Sequence, residues 1–570
     1  MMVEIKQNGW DPVDADALCR AVDASRLMDH IREFARRVKL SGTPEELESF
    51  RYLQSELTAS GYHTRLLSHD AYISLPLRSE VRVGDAILQS ITHSMSQPTP
   101  SGGLTAPLVY VREGDAAALG VQDLTGKIVL VDGIATEDVA SGVSRAGALG
   151  QIHISPTEHL YEMCVSPVWG SPSQHTRPEL PTTAICTISR DDGARLRQRC
   201  QAGETIEAFV VTEVDTGWRK TPMLVAELGA SDQIDEPFVL FSGHHDTWHF
   251  GVMDNGGANA TMLEAARLLA GRHGTWRRGL RLCFWSGHSH GRYSGSAWYA
   301  DEAFEELDRR CVAHVNVDST GGAGASVLTN SGVVDELKAV AAEAVAHVTG
   351  QVHAGRRQGR AADQSFWGVG IPSMFGSISH QPPGPVKMLT ALGWWWHTRH
   401  DLIEHIDPDN LVRDTSVVLR VLHRLLTSPI VPLDYRAYAE SLLRELASLD
   451  DTAGRLLDIG RLRETAETLK KNAAALASSD APAHAVNQAL MRVSRALVPL
   501  NYTFGDRFRH DSALPHPAWP SLKGIRELAA QTPGSPELPF YVVHARRTRN
   551  RVAHALREAN DAFLSVLSHI

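Results

Sequence analysis

Four stretches of this sequence set imidazoles and carboxylates within a few residues of one another. SGHHDTWHFGVMDNGGAN carries His244, Asp246 and Asp254, and WSGHSHGRYSGS carries His288 and His290. VNVDSTGG carries Asp318, and WWWHTRHDLIEHID carries His397, His400, Asp401 and His405. Ring nitrogens and carboxylate oxygens offered together suit zinc, manganese or iron. The six cysteines are scattered and include no C-x-x-C pair, which argues against a cysteine-held structural zinc and against a disulfide framework. Of the 27 histidines, 13 fall between His244 and His405, so the histidine excess coincides with these stretches. Any one of them alone reads as an ordinary polar loop residue. Their recurrence at successive strand ends is what points to a metal centre.

The elements that must position them alternate. FVLFSG (238–243), LRLCFW (280–285) and CVAHVNV (311–317) read as buried strands, each running straight into one of the stretches. NATMLEAARLLAG (259–271) and DEAFEELDRR (301–310) read as the helices between them. Strand–helix alternation implies a largely parallel sheet covered on both faces, with ligands bound beyond its carboxyl edge. Residues 23–62 show helical spacing of Leu27, Ile31, Phe34 and Val38. From about 80 to 220 the texture is short β-rich runs broken by Gly, Pro and Ser: GKIVLVDG (126–133) is a strand, and AGALGQIHIS (146–155) a short helix leading into another. After about 433 strand signals vanish, and amphipathic segments rich in Ala, Leu, Glu and Arg predict a helical bundle.

Composition narrows the function. With 570 residues, two to four domains are expected. Lys plus Arg is 56 against 66 Asp plus Glu, a net charge of −10, which argues against a nucleic-acid partner. The chain is 43% hydrophobic and 21% charged, as globular proteins are. There is no uncharged apolar run long enough for a transmembrane helix, so no membrane partner is expected. The N-terminus is polar and lacks the apolar core of a signal peptide. A cytoplasmic enzyme or binding protein is the expectation.

GHHDTWHFGVMDNGGANATMLEAARLL resembles the first metal motif of the M28 metallopeptidase family, G-x-H-x-D followed by a bridging Asp. The resemblance is strongest to the branch containing glutamate carboxypeptidase II and the transferrin receptor. It implies an α/β fold: a mostly parallel-sheet zinc-peptidase domain (1–80 and 222–432), a β-rich protease-associated or apical insert (81–221), and a C-terminal helical dimerisation bundle (433–570). GKIVLVDG with AGALGQIHIS resembles the insert, and ALVPLNYTFGDRFRHDSALPHPAWPSLKGI the helical domain. Carried over residue by residue, His244 and Asp318 would hold one metal, Asp254 would bridge two, and His397 would hold the second. Asp246 would accept a hydrogen bond from the ligand His and fix its tautomer. One or two Zn2+ ions are implied, with Mn2+ or Fe2+ as alternatives. A homodimer through the helical domain is implied as well.

One stretch departs from the pattern. The family places two adjacent glutamates in W-x-x-E-E-x-G, the first the general base and the second a metal ligand. Here the segment runs Trp285-Ser286-Gly287-His288-Ser289-His290-Gly291, and both glutamates are gone. It is one residue longer than the pattern. Counting from Trp285 puts His288 at the base position and Ser289 at the ligand position; counting back from Gly295-Ser296 puts Ser289 and His290 there. Ser is a poor zinc ligand, so His290 is favoured as the replacement ligand and His288, on the same side of an extended backbone, as base or alternative ligand. A neutral imidazole does general-base work near pH 7. Losing two negative charges makes a one-metal site plausible.

Around this centre, Arg292 reads either as a clamp for a carboxylate or oxyanion or as a surface ion pair. Asp363, in AADQSFWGVGIPSM, reads as a substrate contact or a helix cap. Trp394, Trp395 and Trp396 read as core or interface packing, or as an aromatic wall in which Trp396 faces substrate. His245, His249, His400 and His405 fall beside or on the rim of the motif. The activity implied is metal-dependent hydrolysis of a peptide or small amide, aminopeptidase- or carboxypeptidase-like, at an atypical His-containing site. The alternatives are a non-catalytic binding relative, and a one-metal amidohydrolase or cyclase acting on a non-peptide substrate.

Overall fold

The computed structural model describes residues 9–112, 123–231, 235–384 and 391–568, so the polar N-terminal stretch begins outside the described residues. In chain order the strands are β1 (His63–Val83), β2 (Ala86–Leu88), β3 (Ser90–Thr92), β4 (Leu104–Val111), β5 (Ile128–Asp132), β6 (Gly150–Ile154), β7 (Ala184–Ile188), β8 (Glu207–Leu228), β9 (Phe238–His244), β10 (Gly279–Trp285), β11 (Cys311–Asp318) and β12 (Ser373–Ser377). They form one large sheet in the order β12-β11-β9-β10-β8-β4-β5-β6-β7-β3, with β1 along β8 and β2 against β1.

The half that positions the histidines is β12-β11-β9-β10, all parallel. Every residue of β9 and β10 is buried, as is every residue of β11 except Asp318. Such strands are continuous apolar runs because both faces are covered. The helix Ala258–Ala270, buried over most of its length, packs on β9 and β11, and the helix Pro408–Thr427 packs against it. The strands read from the sequence between 238 and 318, and the helix at 259–271, lie where their apolar runs put them, whereas 301–310 spans the end of the helix Ser294–Glu302 and the separate helix Phe304–Arg310.

The middle of the chain differs from its sequence reading. β1 and β8 are not short runs but antiparallel strands of 21 and 22 residues, paired from His63↔Glu227 to Arg82↔Phe209. Their register shifts between Pro76 and Arg78, where a proline has no N–H to give the ladder. The C-terminal part of β8 pairs with β10 and its N-terminal part with β4. One strand therefore serves both halves of the sheet, and the boundaries expected at 80/81 and 221/222 fall inside β1 and β8. AGALG is a turn rather than a helix; the helix precedes it at Glu137–Arg145.

Beyond Pro408 the described residues contain helices and no strand. The helices Tyr435–Ala453, Gly460–Ala477, Ala483–Tyr502, Lys523–Ala529 and Leu538–Leu567 pack on one another. Their apolar faces join the same buried cluster as the sheet. Among the described residues no helix is long and apolar enough to cross a membrane.

Candidate active site

Because β9, β10 and β11 are parallel, their carboxyl ends share one edge. Trp285 lies opposite His244, and Asn316 opposite Ser242. Two residues past that last pair, His244 and Asp318 leave the sheet side by side, pointing the same way. Asn255 staples the two ends: its amide donates to the carbonyls of His244 (3.1 Å) and Val317 (3.3 Å), and its oxygen accepts from the Ser319 N–H at 2.9 Å.

Asp254 sits in the turn Val252–Gly257, followed by a cis peptide bond to Asn255. The turn begins at Gly251, which is left-handed (φ 51°), and a Cβ there would stand 2.5 Å from the Thr247 side chain. Asp401, one of the metal-capable residues in the sequence, instead holds this turn. Its carboxylate accepts the N–H groups of Met253 (2.8 Å) and Asp254 (2.9 Å), and burial raises its pKa to about 7.

Two imidazoles converge on Asp254. His244 Nε2 lies 3.1 Å from Asp254 Oδ1 and 3.6 Å from Asp318 Oδ1, and His397 Nε2 lies 3.1 Å from Asp254 Oδ2. Their other nitrogens are committed: His244 Nδ1 to the Asp246 carbonyl (2.8 Å), and His397 Nδ1 to the Glu162 carbonyl (2.7 Å). A carbonyl only accepts, so both Nδ1 atoms carry protons and both Nε2 lone pairs face carboxylate oxygens. His244 Nε2 and Asp254 Oδ1 are buried and make no hydrogen bond. Ring nitrogens facing carboxylates across about 3 Å call for a positive charge between them, a proton or a metal ion, and the donor set suits a divalent cation. The same carboxylates also favour a proton on the His244 ring. Burial would lower the His244 imidazole, but Asp254 and Asp318 raise it well above its ordinary value. Burial would raise Asp254, but His244 and His397 hold it well below the carboxylate range.

The loop after β10 sets its two histidines in different surroundings. His288 stacks on His244 with ring centroids 3.7 Å apart. Among the described residues, His244, His288 and Asp318 form the group whose ligand atoms all lie within 4.8 Å of one another. Asp254 and His290 are both outside that group; His290, favoured from the sequence to replace the family's second glutamate, has its Nε2 buried with no hydrogen-bond partner. Its Nδ1 meets the Ser41 hydroxyl at 3.0 Å, and its ring lies 4.4 Å from that of Trp248. The reason is backbone shape. The segment is not extended: residues 286–288 are bends and 289–292 a turn, so residues two apart need not share a side. Ser289 Oγ is buried without a partner.

Asp246 does not take the His244 proton with its carboxylate, which stands 3.8 Å from Nδ1; its backbone carbonyl does. The carboxylate accepts the His288 and Ser289 N–H groups (3.2 and 2.9 Å) and the Ser41 hydroxyl (2.7 Å), so it shapes the loop that presents His288. Burial would raise its pKa, but His290, His244 and His288 together hold it down. Asp363 caps no helix. Left-handed itself, it accepts from His288 Nδ1 at 2.7 Å and from the Ser296 hydroxyl at 2.8 Å. Arg292 is neither a free clamp nor a surface pair: its guanidinium is buried against Glu137. Trp396 lies flat on His397 at 3.5 Å. Trp395 is core, bonded to Met253 Sδ at 3.4 Å and stacked on His405, while Trp394 is 41% exposed and stacks on His159.

Three contributors escape sequence reasoning. Glu162 fixes His397 through its backbone, Glu137 neutralises Arg292, and Ser41 reaches both Asp246 and His290. Each lies more than 80 residues from the motif it serves, and no local pattern marks it. The Glu162 carboxyl stands 3.6 Å from His249 Nε2 and is raised to about 7 by burial.

Comparison with known proteins fits this geometry. Residues 224–422 match the family model of Peptidase family M28. A probable glutamate carboxypeptidase VP8 from Zea mays is 27% identical over 238 residues, covering 38% of this chain and 32% of that protein. The chain thus spans about a third of that relative's length. Aminopeptidase YwaD from Bacillus subtilis (strain 168) is 26% identical, covering 60% of this chain and 70% of that one. Among solved structures, an aminopeptidase from Aneurinibacillus sp. strain AM-1 superposes with a TM-score of 0.57 at 22% identity, over 73% of this chain and 96% of that one. BSAP, a zinc aminopeptidase from Bacillus subtilis, gives 0.55 at 21%, over 71% and 95%. These structures share the mixed α/β fold with its large sheet. The stretch that carries His244, Asp254, His288, Asp318, Asp363 and His397 is thus the part of the chain that is similar to peptidase family M28.

Proposed function

We propose that the protein hydrolyses an amide bond, in a peptide or a small amide, at one divalent cation, zinc in the first instance. The observation that carries this is the pair of imidazoles turned on Asp254 with both Nδ1 atoms already committed. His244, Asp254 and Asp318 would hold the ion, with His288 in reach. His397 meets the other Asp254 oxygen, but no third imidazole or carboxylate completes a second group there among the described residues. A cation so held would supply the positive charge that polarises the substrate carbonyl.

The chain's own part is positioning and proton movement. The Asp246 and Glu162 carbonyls lock the two rings, and Asp246 and Asp401 set the loops that carry His288 and Asp254. Asp363 takes the His288 Nδ1 proton, which leaves Nε2 as the acceptor. This His–Asp unit occupies the place of the glutamate base. Trp396, pressed on His397, keeps water from that side. The exposed Phe540 and Val543, one turn apart on the helix Leu538–Leu567, support a homodimer through the C-terminal helices.

The test is turnover of a panel of aminoacyl amides, dipeptides and N-acyl amino acids, with the metal content of the same preparations. Hydrolysis abolished in His244→Ala together with the metal supports the reading. Hydrolysis that survives in a metal-free His244→Ala protein overturns it.

A further inference from the structure

Between the helices Ser294–Glu302 and Phe304–Arg310, the turn at 360–369 and the segment 503–511 lies a cavity of about 370 Å3. Three guanidiniums line it: Arg360, Arg507 and Arg509. Only one has a carboxylate partner. Arg507 pairs with Asp308 at 2.5 Å through Nη2, yet its Nε is buried with no acceptor. Arg360 donates only to the backbone carbonyls of Asp511 (2.6 Å) and Ser512 (3.3 Å) and lies over the Trp169 ring at 3.8 Å. Burial lowers its pKa to about 10. Arg509 is exposed and makes no ion pair among the described residues.

The acids in the wall make no ion pair with these cations among the described residues, although the Asp511 charge acts on Arg360 through space. Asp301 faces His510 at 3.0 Å, and the Asp511 carboxylate accepts the Phe504 N–H at 3.0 Å. A largely buried guanidinium left with backbone carbonyls and an aromatic face keeps donors free, and the fork geometry of those donors matches an oxyanion.

We propose that this cavity binds a small oxyanion, a phosphate or a carboxylate, held by Arg360 and Arg509. Ser365 lines the same cavity. Its hydroxyl accepts from Trp169 Nε1 (2.9 Å) and lies 2.8 Å from Ser296 Oγ, which donates to Asp363, the partner of His288. The cavity is therefore the far end of a hydrogen-bond chain that begins at the candidate active site. The proposal does not rest on the hydrolase reading, because binding is what tests it.

The full-length protein is titrated calorimetrically with inorganic phosphate and, separately, with glutarate, at an ionic strength held constant with chloride. Saturable one-to-one binding of either is expected; phosphate alone, glutarate alone or both each identify the anion class. Arg360→Met and Arg509→Gln should each weaken it by about tenfold or more. Arg444→Gln, in a separate cavity, should leave it unchanged. No saturation by either anion up to about 10 mM, or wild-type binding in both arginine variants, overturns the proposal. If Arg360→Met does not fold, Arg509→Gln decides alone, since its side chain is exposed.

Discussion

Asp363→Asn isolates the proposed division of labour. Asparagine keeps the Oδ1 acceptor for the Ser296 hydroxyl, so the local packing has little reason to change. The other branch becomes an NH2 donor facing His288 Nδ1 across what is now a 2.7 Å hydrogen bond. His288 must then accept at Nδ1, its proton moves to Nε2, and the nitrogen that should take a proton from the reacting centre no longer can. A charge-assisted hydrogen bond contributes about 1.5–3 kcal/mol, and that loss in the transition state corresponds to roughly 10- to 150-fold in kcat/KM. The tautomer change adds to it, so this range is a lower expectation. The assay is kcat/KM on the best amide from the panel, with metal content and thermal midpoint measured on the same samples. The predicted result is a fall in kcat with metal retained and the midpoint nearly unchanged. Full kcat/KM with metal retained would refute the dyad. Loss of the metal would show that Asp363 acts on the ligand set instead.

His288→Ala should lower kcat far more than His290→Ala at the same metal content, since His288 stacks on His244 and bonds Asp363; equal kcat in the two, with metal content measured on the same samples, contradicts the assignment. Asp401→Asn turns a donor toward the Met253 and Asp254 N–H groups, and should cost about 1–3 kcal/mol in chemical denaturation together with weaker metal binding. An unchanged midpoint and metal content would mean that the turn holds itself. Glu336 is buried with neither carboxylate oxygen bonded, and burial raises its pKa to about 8. A raised acid binds more protons folded than unfolded, so its contribution to stability falls as pH climbs from the ordinary carboxyl range to about 8. Glu336→Gln should therefore match wild type near pH 4 and exceed it near pH 8, on the order of 1–3 kcal/mol in urea unfolding. Parallel stability–pH curves for the two proteins would rule this out.

Much of the site was legible in the sequence because the strands that carry it are short apolar runs ending in the residues that matter. β9, β10 and β11 point His244, the 286–293 loop and Asp318 at one edge, as the strand–helix alternation implies. The loop's shape was not legible. Left-handed backbone at Arg292 and Tyr293 is unusual for residues with a Cβ, and no pattern in the sequence marks the bends and turn at 286–292 that leave His290 at Ser41 and His288 over His244. Nor were the contacts from the middle of the chain. Glu162 and Glu137 reach the site only because β1 and β8 run unbroken from one half of the sheet to the other, and the alternation in those strands is blurred by charged positions and by Pro76. Asp401 stands among the metal-capable residues of its stretch because type and spacing cannot tell a carboxylate that meets a cation from one that meets backbone N–H groups.

The central claim is that one divalent cation sits at His244, Asp254 and Asp318, with His288 beside it. Anomalous diffraction at the zinc edge, from crystals of protein whose zinc content has been quantified, tests it directly. The account predicts one peak per chain, next to His244 Nε2 and on the Asp254 Oδ1 side. A protein without stoichiometric metal, or a peak of equal height between His397 and His290, would contradict it.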